Sequence, residues 1–139
     1  MAAQLMITID TNRCVGCRNC EYACAFKQKQ NHDLKDANIC ISVYPREKIS
    51  LPMVCFHCNE AWCMEICPAG AIKRDPNTRA VVIDSQLCIG CKMCMLACPF
   101  GNIHFDTENY VSAKCDLCGG DPYCVKFCIS GALQFEEIN

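Results

Sequence analysis

The chain is organised around one stretch, Cys88-Ile89-Gly90-Cys91-Lys92-Met93-Cys94-Met95-Leu96-Ala97-Cys98-Pro99. Its cysteines have the spacing C-x2-C-x2-C-x3-C, and a proline follows the last of them. Three thiols at two-residue spacing can surround one corner of a metal centre from a single tight loop. The fourth thiol lies one turn further along and points elsewhere. The spacing therefore predicts three ligands for one [4Fe–4S] cluster and one ligand for a second cluster.

The motif belongs to an internal repeat. The segment Ile9–Cys17 aligns with Ile83–Cys91 at an offset of 74 residues, and the match continues through Cys20 and Cys24. A second pair of motifs follows, in which Cys55-x2-Cys58-x4-Cys63-x3-Cys67 matches Cys115-x2-Cys118-x5-Cys124-x3-Cys128. We therefore expect one domain, residues 1–139, containing a two-motif unit that occurs twice, at about 5–72 and 80–135.

The four motifs use sixteen of the 17 cysteines and predict four [4Fe–4S] clusters. Zinc is the main alternative, but zinc sites use two C-x2-C hooks separated by a longer spacer. A disulfide framework requires an export signal, and Met1 to Met6 contain neither a basic residue nor a long apolar run. We therefore expect a cytoplasmic protein with reduced thiols and iron as the metal.

Each fourth cysteine faces away from its own triplet, so the economical arrangement is an exchange of ligands between motifs. The outer motifs, 14–24 and 115–128, then pair, and so do the inner motifs, 55–67 and 88–98. The predicted ligand sets are Cys14, Cys17, Cys20 and Cys128; Cys115, Cys118, Cys124 and Cys24; Cys55, Cys58, Cys63 and Cys98; and Cys88, Cys91, Cys94 and Cys67.

The predicted fold class is α+β, with duplicated ferredoxin-like units of short strands and helices wrapped around the clusters. Short β-branched runs before the first and third motifs predict strands at 5–9 and 80–83, and helices are expected at 20–26 and 94–98. Residues 25–54 separate the first two motifs, but only residues 99–114 separate the last two. This insertion of about 14 residues is interpreted either as a solvated loop or as a docking surface.

Four kinds of residue outside the ligand sets also stand out. Cys40 lies in the alternating run Ile39–Tyr44, and we expect a buried, inert thiol there. His57, between Cys55 and Cys58, is a candidate hydrogen-bond donor near a cluster, and Lys92 and Lys114 beside ligands could raise a reduction potential. Aromatic side chains surround the motifs, and we expect them to exclude water; they are Tyr22, Phe26, Phe56, Trp62, Phe100, Phe105, Tyr123 and Phe127.

The sequence predicts neither a nucleic-acid partner nor a segment that spans a membrane. The 13 Lys and Arg residues are scattered and form no basic stripe, so no nucleic-acid partner is expected. No apolar segment approaches the roughly 20 residues of a membrane span. We likewise expect no catalytic residue, because nearly all of the chain is used in ligating and covering clusters.

The order of the four motifs resembles the four-cluster iron–sulfur subunits of molybdenum and tungsten oxidoreductases of the dimethyl-sulfoxide-reductase type. The resemblance is carried by Cys55-Phe56-His57-Cys58, by Asp84 through Gly101 and by Lys114-Cys115-Asp116-Leu117-Cys118. It covers nearly the whole chain, and the exchange of ligands is also the family's pattern. The compact spacer Gly119–Pro122 resembles the small subunits associated with tungsten aldehyde oxidoreductases, whereas Cys24 and Cys128 lack the family's following proline.

The resemblance implies an electron-transfer subunit between a tungsten- or molybdenum-cofactor subunit and a flavoprotein, ferredoxin or other acceptor. Because the chain stops one strand after its last motif, without the membrane-contacting tail of larger relatives, no membrane anchor is expected. Two alternatives remain open. One is a free-standing polyferredoxin or a subunit of a hydrogenase or formate complex, and the other is a scaffold that self-associates into a conducting filament.

Overall fold

The computed structural model describes residues 4–31 and 33–138. Met1 to Ala3, which contribute to the export-signal expectation, His32 of the insertion and Asn139 lie outside the described residues. The described strands are β1 Gln4–Ile9, β2 Cys40–Tyr44, β3 Ile49–Met53, β4 Ile72–Arg74, β5 Val81–Ile83, β6 His104–Asp106, β7 Val111–Ala113 and β8 Leu133–Ile138. The α-helices are α1 Asn19–Lys29, α2 Trp62–Ile66, α3 Met93–Ala97 and α4 Tyr123–Lys126.

The strands form four antiparallel pairs, β1–β8, β2–β3, β4–β5 and β6–β7. In the first pair, Gln4 lies opposite Ile138 and Ile9 opposite Leu133, so the two ends of the described chain meet. The other three pairs join strands that follow each other in sequence. Short strand pairs combined with short helices confirm the predicted α+β class.

The helices pack in two pairs, α1 against α4 and α2 against α3. Each pair has its own group of buried apolar residues. Ile7, Leu117 and Leu133 belong to the group near α1 and α4, and Ile72 and Ile103 to the group near α2 and α3. Each helix therefore places its cysteines beside those of the helix that it contacts.

Equivalent positions of the repeat make equivalent turns. Asp10 donates its backbone N–H to Ala132 O at 2.8 Å, and Asp84 donates its own to Ala71 O at 2.7 Å. Each aspartate also accepts a backbone N–H from two residues later through Oδ1, from Asn12 and from Gln86, both at 3.0 Å. These Asx turns lead from a strand into the first cysteine of motifs one and three.

Part of the insertion is buried in the core. Ile39 and Ile41 are 2% and 4% exposed and pack with Ile7 and Leu117. Strand alternation points their neighbour Cys40 to the other face, where its thiol is exposed. The expectation of a buried Cys40 was therefore wrong, and the insertion is not a solvated loop throughout, because it contains the hairpin β2–β3.

The predicted strands at 5–9 and 80–83 and the predicted helices at 20–26 and 94–98 correspond to β1, β5, α1 and α3. The hairpin β2–β3, by contrast, was not predicted, although its alternating residues were noted. None of the helices in residues 4–31 and 33–138 is both long enough and apolar enough to cross a bilayer.

Candidate iron–sulfur cluster sites

Four predicted ligands from two inner motifs line one cavity. Cys55, Cys58, Cys63 and Cys98 surround a space of about 320 Å³ beside the buried His57. Cys63 lies in α2 and Cys98 directly follows α3, so the contact between these helices brings the two motifs together. We call this space the His57 cavity.

A second cavity is lined by the remaining inner cysteines, Cys67, Cys88, Cys91 and Cys94. Cys94 lies in α3, and Cys67 directly follows α2. The third cysteine of each inner motif and the last cysteine of the same motif thus lie beside different cavities. We call this second space the Cys94 cavity.

The outer cysteines form two further groups, which are visible in their mutual electrostatic effects. Burial raises the pKa of Cys20 to about 12, and the neighbouring Glu21, Cys128 and Cys17 raise it further. Burial also raises the pKa of Cys24 to about 11, with a contribution from Cys118. Cys128 therefore lies near the thiols of motif one, and Cys24 near those of motif four.

Two further buried outer thiols, Cys115 and Cys124, also have pKa values raised by neighbouring thiols. Burial raises the pKa of Cys115 to about 12, and Cys24 and Cys55 contribute in the same direction. Burial also raises the pKa of Cys124, with further increases from Cys115, Cys24 and Cys118. Thiols crowded in this way bind protons tightly unless a positively charged metal centre compensates for the thiolate charge.

The last cysteine of two motifs lies in a nest of backbone N–H groups. Burial acts to raise the pKa of Cys67, but N–H groups of residues 69–72 bring it below its ordinary value. Burial also acts to raise the pKa of Cys128, but hydrogen bonds from Leu133, Ser130 and Ala132 bring it below its ordinary value. Such nests stabilise a thiolate, and hydrogen bonds to ligand sulfur raise the potential of a bound cluster.

Backbone N–H groups also point at the sulfurs of other predicted ligands. Asn38, from the insertion, donates to Cys24 Sγ at 3.1 Å. Three further backbone N–H groups donate to cysteine sulfurs: His57 to Cys55 Sγ at 3.3 Å, Ser112 to Cys88 Sγ at 3.5 Å and Leu117 to Cys115 Sγ at 3.4 Å.

The donor sets fit iron–sulfur clusters. Thiolates are the protein ligands of [4Fe–4S] clusters, and here four cysteines line each of two cavities. In the described part of the chain, no three His, Cys, Asp or Glu side chains could hold a single metal ion.

His57 and Lys114 are both buried beside the His57 cavity, at 0% and 6% exposure. His57 Nδ1 accepts the backbone N–H of Val81 at 3.0 Å, and Lys114 Nζ lies 3.4 Å from the same nitrogen. Burial and the nearby Lys114 charge lower the pKa of His57 to about 3, so its imidazole is neutral.

Glu21 is a buried residue that the sequence interpretation missed. It is 3% exposed, accepts the backbone N–H of Ile41 at 2.5 Å and pairs with Arg18 at 3.2 Å. The equivalent position of the repeat is Met95. This difference between the two copies could have identified Glu21 from the sequence, because only the first copy carries the insertion, to which Glu21 is hydrogen-bonded.

The aromatic residues cover the sites only in part. Phe56 and Phe100 line the His57 cavity, with their rings edge to face at 4.9 Å. Trp62 lines the same cavity but is 60% exposed, and Phe127 is 54% exposed, so these two side chains remain in contact with water over much of their surface.

Comparison with known proteins gives two family matches and many relatives. Residues 47–138 match the model described as a 4Fe-4S dicluster domain, and residues 6–28 match the model of a 4Fe-4S binding domain. The chain is 35% identical over 148 aligned residues to "Putative electron transport protein YsaA" of Escherichia coli (strain K12). That alignment covers 95% of this chain and 89% of the relative.

A second relative is the B subunit of the anaerobic dimethyl sulfoxide reductase of Escherichia coli (strain K12). It is 32% identical over 158 aligned residues, which cover 100% of this chain and 76% of the relative. Among solved structures, a protein of the BamBC active-site complex of benzoyl coenzyme A reductase with zinc matches with a TM-score of 0.60. That match covers 100% of this chain and 82% of the other, at 22% identity, and concerns the fold alone.

Proposed function

The chain belongs to the 4Fe-4S dicluster-domain family, and we propose that it is the electron-transfer subunit of an oxidoreductase complex. The observation that carries this proposal is the convergence of four cysteines from two motifs on each of the two inner cavities. The relatives named as an electron transport protein and as part of a reductase support the same role. A bound [4Fe–4S] cluster accepts and releases single electrons.

We propose four clusters for the chain, with ligands exchanged between paired motifs. The two cavities support the exchange of Cys67 and Cys98 between the inner motifs. The electrostatic proximity of Cys128 to Cys20, and of Cys24 to Cys118, supports the exchange between the outer motifs. The proposed sets are Cys14, Cys17, Cys20 and Cys128; Cys115, Cys118, Cys124 and Cys24; Cys55, Cys58, Cys63 and Cys98; and Cys88, Cys91, Cys94 and Cys67.

The polypeptide would then do three things for its clusters. It holds thiolates in position through the helix pairs α1–α4 and α2–α3. It directs backbone N–H groups at ligand sulfurs, as Asn38 does at Cys24. It also surrounds the deepest thiols with apolar side chains such as Leu117 and Val54, which keeps water from them.

The proposed partner is a catalytic subunit with a tungsten or molybdenum cofactor, of the aldehyde oxidoreductase class. Electrons would pass between that subunit and a flavoprotein, a ferredoxin or another acceptor. The relative from dimethyl sulfoxide reductase supports a multi-subunit assembly. In this assignment the chain is non-catalytic and cytoplasmic, where thiols remain reduced.

Anaerobic metal analysis tests the cluster assignment. We expect about sixteen iron atoms and as much acid-labile sulfide per polypeptide, since each cluster holds four of each. Zinc in place of iron, or iron for only two clusters, would contradict it. The Cys40→Ser variant is the matched control, because its exposed thiol lies outside the four motifs and its iron content should equal that of the unaltered protein.

Purification of the tagged protein from its native cells tests the partner. We expect a larger subunit with tungsten or molybdenum to copurify and to reduce the clusters when its substrate is added. A fully loaded monomer that exchanges electrons with several proteins would instead indicate a free-standing polyferredoxin. Filaments in negative-stain images would indicate the self-associating scaffold.

A further inference from the structure

Lys114 is a buried cation located next to two cysteine groups. It directly precedes Cys115 and also lines the His57 cavity. Its Nζ donates to Cys115 O at 3.0 Å and to Val81 O. Within residues 4–31 and 33–138, no carboxylate forms a salt bridge with it, so its charge is satisfied by carbonyl groups alone.

The ring of His57 is held in one tautomer by its neighbours. Nδ1 accepts from Val81 N–H at 3.0 Å, and Lys114 Nζ presents a second donor to the same nitrogen at 3.4 Å. A nitrogen that accepts hydrogen bonds carries no proton, so the proton of the neutral ring lies on Nε2.

His57 Nε2–H has no partner in the described part of the chain, although it is fully buried. A buried N–H group without an acceptor is destabilising, so buried N–H groups are normally hydrogen-bonded. His57 lines the cavity formed by Cys55, Cys58, Cys63 and Cys98, and its other nitrogen is already occupied. A group bound in this cavity would supply the acceptor that Nε2–H lacks.

We propose that His57 and Lys114 together raise the reduction potential of the cluster bound in the His57 cavity. His57 Nε2–H donates a hydrogen bond to that cluster, and Lys114 holds the histidine tautomer and contributes an uncompensated positive charge. Both effects stabilise the reduced cluster more than the oxidised one, since reduction adds negative charge. The inference rests on the cluster ligation proposed above, but not on the identity of any partner subunit.

Lys114 also directly precedes Cys115 and donates to Cys115 O at 3.0 Å, so its charge lies beside the outer set as well. It also lines the His57 cavity together with Cys63 of the inner set. The lysine is thus a positioning residue shared by one inner and one outer cluster. His57 acts on the inner one alone.

Redox titration of the loaded full-length protein, followed by EPR, tests the proposal. The Cys98→Ser variant identifies the signal that belongs to the His57 cavity. We expect His57→Phe to lower the potential of that signal alone, and Lys114→Met to lower it together with a second one. Lys114→Arg, which keeps the charge, should retain most of the potential.

Lys92→Met is the matched control, because Lys92 also adjoins a predicted ligand, Cys91, and lines the Cys94 cavity, but its side chain is exposed to water, which screens its charge. We expect a much smaller shift for it than for Lys114→Met. Loaded His57→Phe and Lys114→Met proteins with unchanged potentials would overturn the proposal while leaving the electron-transfer role intact. Absence of iron from the unaltered protein would overturn both.

A second measurement tests the proposal even if the His57 and Lys114 variants bind no cluster. In the unaltered protein labelled with ¹⁵N-histidine, electron–nuclear double resonance should detect a histidine nitrogen and an exchangeable proton coupled to the cluster of the His57 cavity. The coupling should persist in His104→Phe, since His104 does not line this cavity. Absence of the coupling would overturn the proposal without any substitution at His57.

Discussion

Lys29 Nζ lies 2.5 Å from Asp106 Oδ2 and joins α1 of the first copy to β6 of the second. The two side chains are 25% and 8% exposed, so the ion pair is largely removed from water. Asn109 Nδ2 donates to the same carboxylate oxygen at 2.8 Å. This contact ties the two halves of the repeat at a point outside the four cysteine motifs.

Asp106→Asn should lower the free energy of unfolding by about 1–2 kcal/mol, because it leaves the Lys29 charge half-buried and unpaired. Urea denaturation of the loaded protein, followed by visible absorbance, measures the change. The control is Asp121→Asn, which removes an exposed ion pair with Lys126 and should have a much smaller effect, since water screens that pair.

The pH dependence of the Lys29–Asp106 ion pair follows from the direction in which the pKa of Asp106 is shifted. The hydrogen bond from Lys29 holds the pKa of Asp106 well below its ordinary value. Its stabilising contribution is therefore complete above the unfolded pKa of about 3.9 and is lost as pH falls below that value. The difference between the unaltered protein and Asp106→Asn should be constant from about pH 5 to 8. A difference that declines across this range would contradict the assignment.

Cys128→Ser tests the exchange of ligands between the outer motifs. We expect it to perturb the cluster of Cys14, Cys17 and Cys20, since Cys128 lies near Cys20 and affects its pKa. The cluster of Cys115, Cys118 and Cys124 should keep its EPR signal. Loss of the second signal with retention of the first would instead assign Cys128 to its own motif.

Gly90→Ala should destabilise the protein more than Gly101→Ala. Both glycines have positive φ, +74° and +67°, so the backbone penalty of about 1 kcal/mol is shared. A Cβ at Gly90 would lie 2.8 Å from Tyr110 O, whereas nothing lies within 4 Å at Gly101. The clash should add about 1–3 kcal/mol, measured as the difference between the two variants in urea denaturation. Equal losses would show that the loop around Gly90 adjusts freely.

Glu21→Ala should release the insertion from α1. The substitution leaves the Ile41 N–H without its acceptor in a buried environment, at a cost of about 1–3 kcal/mol. Hydrogen exchange should increase in β2 and β3, while β6 and β7 remain protected. Met95→Ala, at the equivalent position of the second copy, should not alter exchange in β2 and β3. Unchanged exchange in Glu21→Ala would show that apolar packing alone holds the hairpin.

The type of chemistry was readable from the amino-acid order alone. Ligand spacing is a local property, so the motifs around Cys14, Cys55, Cys88 and Cys115 could be assigned without a fold. The repeat was equally accessible, because Asp10 and Asp84 make the same turn from the same local residues. Strands β1 and β5 followed from their β-branched residues.

Three-dimensional packing was needed for everything that depends on neighbours distant in sequence. Cys40 alternates with Ile39 and Ile41, but sequence alternation does not say which face meets the core. His57 and Lys114 are 57 residues apart, and both contact Val81 only because the second motif, β5 and the start of the fourth motif pack together. Local spacing predicted the ligands, whereas long-range contacts set the burial, charge and hydrogen bonding around these cysteines, since those quantities depend on the folded surroundings of each group.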